Sequence, residues 1–382
     1  MSMSALSAEI LLHISSFLTT KDVAAFCQVS LSCTIAQRQL FRHIRVRCTG
    51  LSLLCRTFKE KPMLARYTKT ICMSTSIDDS IWDSIGNPVR QKNYDIIAYV
   101  CCILDSVINA THISLTGYLP RKPHEFIFNL PALLEREMFP HVQELEISGS
   151  FISLLQQKMP RLQSLDISDM SRKHLELVPR RSRRQLSLRF RQNRFQKLFL
   201  RLSAYDGVDD PNRIRELIVA LGCSAVEELT LEIGNNHYDP SPSSFSLRAI
   251  VANLQPIAQN LRKFELIVDP GLEFYEGVRE SLAAFTSLST LIIPIECLFD
   301  MAEKEGYLEE VECRLPACCS DIVLCCSEEE KAYSLLEECC NQNVPAKYVD
   351  TDYELLGVRV NGPQGPMWNA ICTAWVDWNF FA

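Results

Sequence analysis

No stretch of this chain is apolar for long enough to cross a bilayer as a helix. The longest apolar run, Ile96 to Ile108, is thirteen residues and contains Asp105, short of the ~20 that the hydrocarbon core demands. The N-terminus lacks a basic flank leading into an apolar core and a cleavage site, so export is not expected and a cytoplasmic or nuclear location is. Signatures of chemistry are missing as well: no G-x-S-x-G elbow, no Walker loop, no G-x-G-x-x-G, no H-E-x-x-H and no EF-hand loop. Histidines are few, and His13, His43, His112, His124, His141, His174 and His237 are scattered. Cysteines are plentiful at 17, yet no two stand at the C-x-x-C spacing that grips zinc, and an odd count without export argues against a disulfide framework. Reduced thiols filling apolar space are the expectation, with no metal, no cofactor and no catalytic activity.

What is present fits a folded protein. Of the 382 residues, 47% are hydrophobic and 22% charged, close to globular averages. The net charge of -7 is uneven, because residues 296–382 hold 17 acidic and 5 basic side chains. That excludes nucleic acid as an expected partner for this part. One local exception is the run Arg180, Arg181, Arg183, Arg184, Arg189, Arg191 and Arg194, dense enough for phosphate, an acidic peptide or an import receptor, or simply a solvated insertion.

Leu6 to Val46 reads as three short helices. Ser7 is a cap with Glu9 in the first turn, and Ile10, Ile14, Phe17 and Leu18 form one apolar face. Thr19 and Asp22 open a second helix with Val23, Phe26, Cys27 and Val29 inward, and Ser30 opens a third with Ile35, Ala36 and Leu40, leading to the alternation of Phe41, Ile44 and Val46. So small a unit has more apolar surface than it can hide alone, which calls for a partner. The order and spacing of Leu6, Glu9-Ile10-Leu11, Ile14, Phe17-Leu18, Asp22-Val23, Val29-Ser30 and Leu40-Phe41 resemble an F-box. The resemblance implies docking to the Skp adaptor of a cullin-RING ubiquitin ligase through Leu6, Glu9, Ile10, Ile14, Phe17, Leu18, Val23, Val29, Leu40 and Phe41.

Downstream, one pattern recurs: apolar, two residues, apolar, one residue, apolar. It appears at Val142, Leu145 and Ile147, at Leu162, Leu165 and Ile167, and at Phe195, Leu198 and Leu200. Further copies are Val226, Leu229 and Leu231, then Leu261, Phe264 and Leu266, and Leu288, Leu291 and Ile293. Shorter echoes occur at Ile71 and Met73 and at Ile113 and Leu115, and weaker ones around Val311 and Ile322. Successive starts lie 20, 33, 31, 35 and 27 residues apart, an irregular version of the strand segment of a leucine-rich repeat. Helical segments are expected over Tyr94–Val107, Pro211–Leu221, Ser246–Gln259, Gly277–Phe285 and Ser327–Cys340.

The expected fold is therefore α/β: a three-helix F-box over 1–48, a linker or first repeat helix over 49–66, and an irregular leucine-rich-repeat solenoid over 67–345 with strands on its concave face. A cap follows over 346–382, with Trp368, Ile371, Trp375 and Trp378 at helical spacing. In this combination the chain resembles the fungal family of F-box proteins with divergent leucine-rich repeats. That implies the substrate-recognition subunit of an SCF-type ubiquitin ligase, or alternatively a scaffold of the same build that never joins a cullin. Residues between the inward positions of the strands, Glu144, Glu146, Asp166, Phe199, Thr230 and Glu265 among them, are the expected face for an unidentified protein substrate.

Overall fold

The computed structural model describes residues 38–75, 89–117, 134–135, 138–170, 195–203, 218, 225–234, 244–245, 247–268, 273–274, 282, 284–294, 318–326, 346–350 and 356–361. They fall into two compact units that divide at Ser168 and Asp169.

The first unit is built on five strands in chain order: β1 (His43–Arg47), β2 (Thr70–Ser74), β3 (His112–Thr116), β4 (Glu144–Ser148) and β5 (Ser164–Met170), with every neighbouring pair parallel. Each alternates polar and apolar, so each has one face to bury. Register turns that alternation into two apolar rows across the sheet. One is Ile44, Ile71, Ile113, Leu145 and Leu165; the other is Val46, Met73, Leu115, Ile147 and Ile167. From β2 to β5 all of these side chains are buried.

Helix α1 (Leu51–Glu60) begins after a 3-10 turn, Cys48–Gly50. Its buried residues Leu51, Cys55 and Phe58 recur at helical spacing and make one apolar face. Pro62 opens the short helix α2 (Pro62–Ala65), where its fixed φ and missing N–H cost nothing. Helix α3 (Val89–Ser106) packs against α1 and buries Ile96, Ile97, Val100, Ile103 and Leu104. Gly50 sits tight at the start of α1, since a Cβ there would come 2.8 Å from Val46 Cγ2. Between β4 and β5 the connection is a 3-10 segment, Gly149–Gln156, burying Phe151, Ile152, Leu154 and Leu155.

In the second unit β6 (Lys197–Ser203), β7 (Glu228–Gly234), β9 (Lys263–Val268), β11 (Thr290–Pro294) and β12 (Asp321–Cys326) are again parallel and adjacent in that order. The order then reverses sense: β14 (Leu356–Asn361) runs antiparallel to β12, and β13 (Ala346–Asp350) antiparallel to β14. A separate parallel pair joins β8 (Ser244–Phe245) to β10 (Glu273–Phe274). Helix α4 (Leu247–Leu254) and the 3-10 turn Gln255–Ile257 bury Ile250, Val251, Leu254 and Ile257. The inner row reads Leu198, Leu229, Phe264, Leu291 and Ile322, all buried.

One backbone device recurs in both units. The carbonyl of Arg42 accepts the N–H groups of both Lys69 and Thr70; Lys69 does the same for Thr111 and His112, Thr111 for Gln143 and Glu144, and Gln143 for Gln163 and Ser164. In the second unit the acceptors are Gln196, Glu227, Arg262 and Ser289, receiving Glu227 and Glu228, Arg262 and Lys263, Ser289 and Thr290, and Ser320 and Asp321. All of these bonds measure 2.7–3.1 Å.

The expected architecture is corrected. The described residues form parallel sheets of α/β type with few helices, not a three-helix F-box feeding a solenoid of strand–helix repeats with strands on a concave face. His43–Arg47, read as the end of the helical module, is a strand: Ile44 and Val46 alternate with charged residues and complete the apolar rows of β2. Most of the three-helix module expected over 1–48 falls on residues 1–37, which lie outside the described residues. Helices occur at Val89–Ser106 and Leu247–Leu254, but the connection before β5 is a 3-10 segment, whose eight residues bury four bulky apolar side chains without a helix. The segments expected to be helical at 211–221, 277–285 and 327–340 lie largely outside the described residues.

If the rows carry the stability, truncating the middle of one is costly. Ile113→Ala, at a fully buried position flanked by Ile71 and Leu145, is expected to lose about 3 kcal/mol. Glu146→Gln on the opposite face of the neighbouring strand should stay within about 0.5 kcal/mol. Denaturant midpoints compared with wild type read both.

Candidate recognition faces of the two sheets

The residues between the buried positions form rows of their own. In the first unit His43, Thr70, His112, Glu144 and Ser164 share one row, and Arg45, Cys72, Ser114, Glu146 and Asp166 the next. Arg47 and Ser74 start a third. In the second unit Lys197, Glu228, Lys263, Thr290 and Asp321 make one row, Phe199, Thr230, Glu265, Ile292 and Val323 another, and Arg201, Glu232 and Ile267 a third. The expected substrate residues Glu144, Glu146 and Asp166 thus share a face of the first unit, and Phe199, Thr230 and Glu265 a face of the second.

The second unit's charges neutralise one another. Lys197 Nζ lies 2.8 Å from Glu228 Oε2 across the strands, Arg201 Nε 2.8 Å from Glu232 Oε1, and Lys263 Nζ 3.0 Å from Glu265 Oε2 along one strand. Thr230 Oγ1 donates to the same Glu265 oxygen at 3.2 Å. Phe199, half-buried, has the Arg201 guanidinium 5.7 Å from its ring centroid, a cation–π distance. Toward β12 the face turns apolar, with Ile267 and Val323 buried. Ile267 beside Glu232 offers no donor, and Glu232 Oε2 is buried with no hydrogen-bond partner among the described residues.

On the first unit's face the first row carries a charged pair. His112 Nδ1 lies 2.8 Å from Glu144 Oε2, and His43 Nδ1 lies 3.1 Å from Thr70 Oγ1. Burial first, then the charge of Arg42, lowers the pKa of His43 below the usual 6.5, so the cations of β1 at neutral pH are Arg45 and Arg47. Both are exposed and face no carboxylate among the described residues, and Glu146 likewise faces no cation. Arg45, His112 and the Arg201–Glu232 pair were not singled out as binding residues from the sequence. Their signal was framing: His112 precedes Ile113 as Glu144 precedes Leu145, which puts it in the same row.

Of the residues expected to bind an adaptor, Leu40 and Phe41 are described. Both are half-buried, and the Phe41 ring lies 6.2 Å from that of Phe58 on α1. Arg38 stands 5.0 Å over the Tyr67 ring. Leu6, Glu9, Ile10, Ile14, Phe17, Leu18, Val23 and Val29 lie outside the described residues, as do Arg180–Arg194 and the tryptophan-bearing tail.

The cysteines near these elements are free thiols. Burial, with smaller contributions from Asp105 and Cys102, pushes Cys101 up to about 12. Cys102 is also pushed up to about 12, by burial first and then by the neighbouring Cys55 thiol. Burial and then the charge of Cys318 take Cys319 up to about 12. A scan against protein-family models finds no match to this chain, and a search of curated proteins finds none either.

Since the thiolate is the nucleophile, Cys101, Cys102 and Cys319 are expected to resist iodoacetamide at pH 8 in the native protein and to react fully once it is unfolded in denaturant. Peptide mass mapping after timed labelling checks this; labelling of all three at the unfolded rate would contradict it.

Proposed function

We propose that this chain is a non-catalytic substrate-recognition subunit of an SCF-type ubiquitin ligase, in which Leu6 to Phe41 hold the Skp adaptor and the exposed rows of the sheets hold a protein substrate. The observation that carries this reading is the junction at Phe41. Its ring packs against Phe58, one residue separates it from β1, and the carbonyl of that residue, Arg42, clamps Lys69 and Thr70. The F-box-like segment therefore runs into the sheet without a flexible spacer at this point. A receptor works by raising the local concentration of a substrate lysine beside a charged conjugating enzyme, and a stiff junction keeps that concentration high. The polar rows add support, since they present charge and hydrogen bonds in fixed order without a nucleophile, base and oxyanion site converging.

Co-expression with a Skp adaptor tests the proposal. Wild type is expected to carry adaptor through purification, and Leu6→Asp combined with Ile10→Asp to lose at least nine-tenths of it, about a tenfold change or ~1.4 kcal/mol. Equal recovery with both would sink the idea. A cullin pull-down with a ubiquitination readout then separates a ligase subunit from a scaffold, which would bind adaptor without building chains.

A further inference from the structure

The two units present their charges differently, and the difference names a ligand class. In the second unit Lys197, Arg201 and Lys263 each have a carboxylate within 3.0 Å. In the first unit Arg45 and Glu146 lie in one row, neither with an ion-pair partner among the described residues, separated by Cys72 and Ser114. Those two are small, half-buried and buried, so the floor between the charges is low. Arg47, on the same strand as Arg45, deepens the positive end. Charges of opposite sign too far apart to pair with each other favour a ligand that bridges them in the opposite sense.

We propose that this row of the first unit docks an extended protein segment carrying a carboxylate over Arg45 and a lysine or arginine over Glu146. Three strand-to-strand steps of about 4.8 Å separate the two sites by roughly 14 Å. An extended chain covers that in four to five residues at ~3.3 Å each. The fitting segment has an acidic and a basic residue four or five positions apart, with small residues between them to lie over Cys72 and Ser114. This inference deepens the substrate-receptor reading and rests on it only for the name of the ligand.

Selection of a random peptide display library on the full-length protein tests it. Wild type is expected to enrich peptides with an acidic and a basic residue at that spacing, and removing either charge from a selected peptide to weaken binding about three- to fivefold by fluorescence anisotropy. Glu146→Lys is expected to change the preference to two acidic residues at the same spacing, and Arg45→Glu to two basic ones. The peptide-side changes need no protein variant, so a misfolded variant leaves the test intact. Enrichment without that spacing, no enrichment, or preferences unmoved by both variants would overturn the inference. So would self-association of the full chain abolished by Glu146→Lys, which would make a second copy the occupant. Adaptor recovery is read separately in each preparation: its loss in wild type bears on the ligase reading alone, and a failed peptide preference with adaptor retained bears on this inference alone.

Discussion

Each unit depends on a single kind of contact, the carbonyl that accepts two successive N–H groups from the chain entering the next strand. It comes just before the first paired residue, so it fixes register before any side chain is consulted. A slip by one residue would carry every buried position to the solvent face and every charged one inward. With register fixed by backbone, the apolar rows through Ile113 and through Phe264 become a consequence, and so do the polar rows opposite them. The acceptors are Arg42, Lys69, Thr111, Gln143, Gln196, Glu227, Arg262 and Ser289, a set with no common side-chain chemistry. None is needed, because a carbonyl is available at any residue.

That explains which parts of the fold were legible. The positions of β4 to β7, β9 and β11 followed from apolar pairs two residues apart with a third apolar residue three before, and each such residue from Val142 to Leu288 is buried. The clamp itself leaves no mark on side chains. Nor was the assignment of His43–Arg47 legible, since Phe41, Ile44 and Val46 satisfy either the end of a helical module or an edge strand, and only pairing with Thr70–Ser74 decides it. The 3-10 connection before β5 was hidden for a similar reason: Phe151, Ile152, Leu154 and Leu155 cover the sheet from a shorter segment than a helix would use. An irregular solenoid of strand–helix repeats was the wrong template for the described residues.

The recognition faces were legible in part. Alternation alone puts Glu144, Glu146, Asp166, Phe199, Thr230 and Glu265 opposite the core, but it does not say which charges are already satisfied. Glu265 looks available in the sequence and is held by Lys263 and Thr230. Phe199 looks exposed and lies beneath Arg201, which itself is held by Glu232. Glu146 is equivalent by pattern, and its row places Ser114 on one side and Asp166 on the other. Part of the difference between these glutamates is local, since Lys263 stands two residues from Glu265, and part is what stands one strand away, some 30 residues distant in the chain.

β1 stands at the junction. Its outer edge pairs with nothing among the described residues, and an open edge invites association with other strands. Exposed Arg45 and Arg47 guard against that by charge. The same two side chains form the positive end of the first unit's face, so under the proposed docking, edge protection and ligand selection would draw on one pair of residues. The Arg42 carbonyl fixes β2 against this strand, and Phe41, one residue earlier, packs on α1. A load on the segment before Phe41 is therefore transmitted to β1 first, and a ligand held by Arg45 is attached at the strand closest in sequence to that segment. For a receptor whose output is the distance between two bound partners, that is the shortest covalent path the first unit offers.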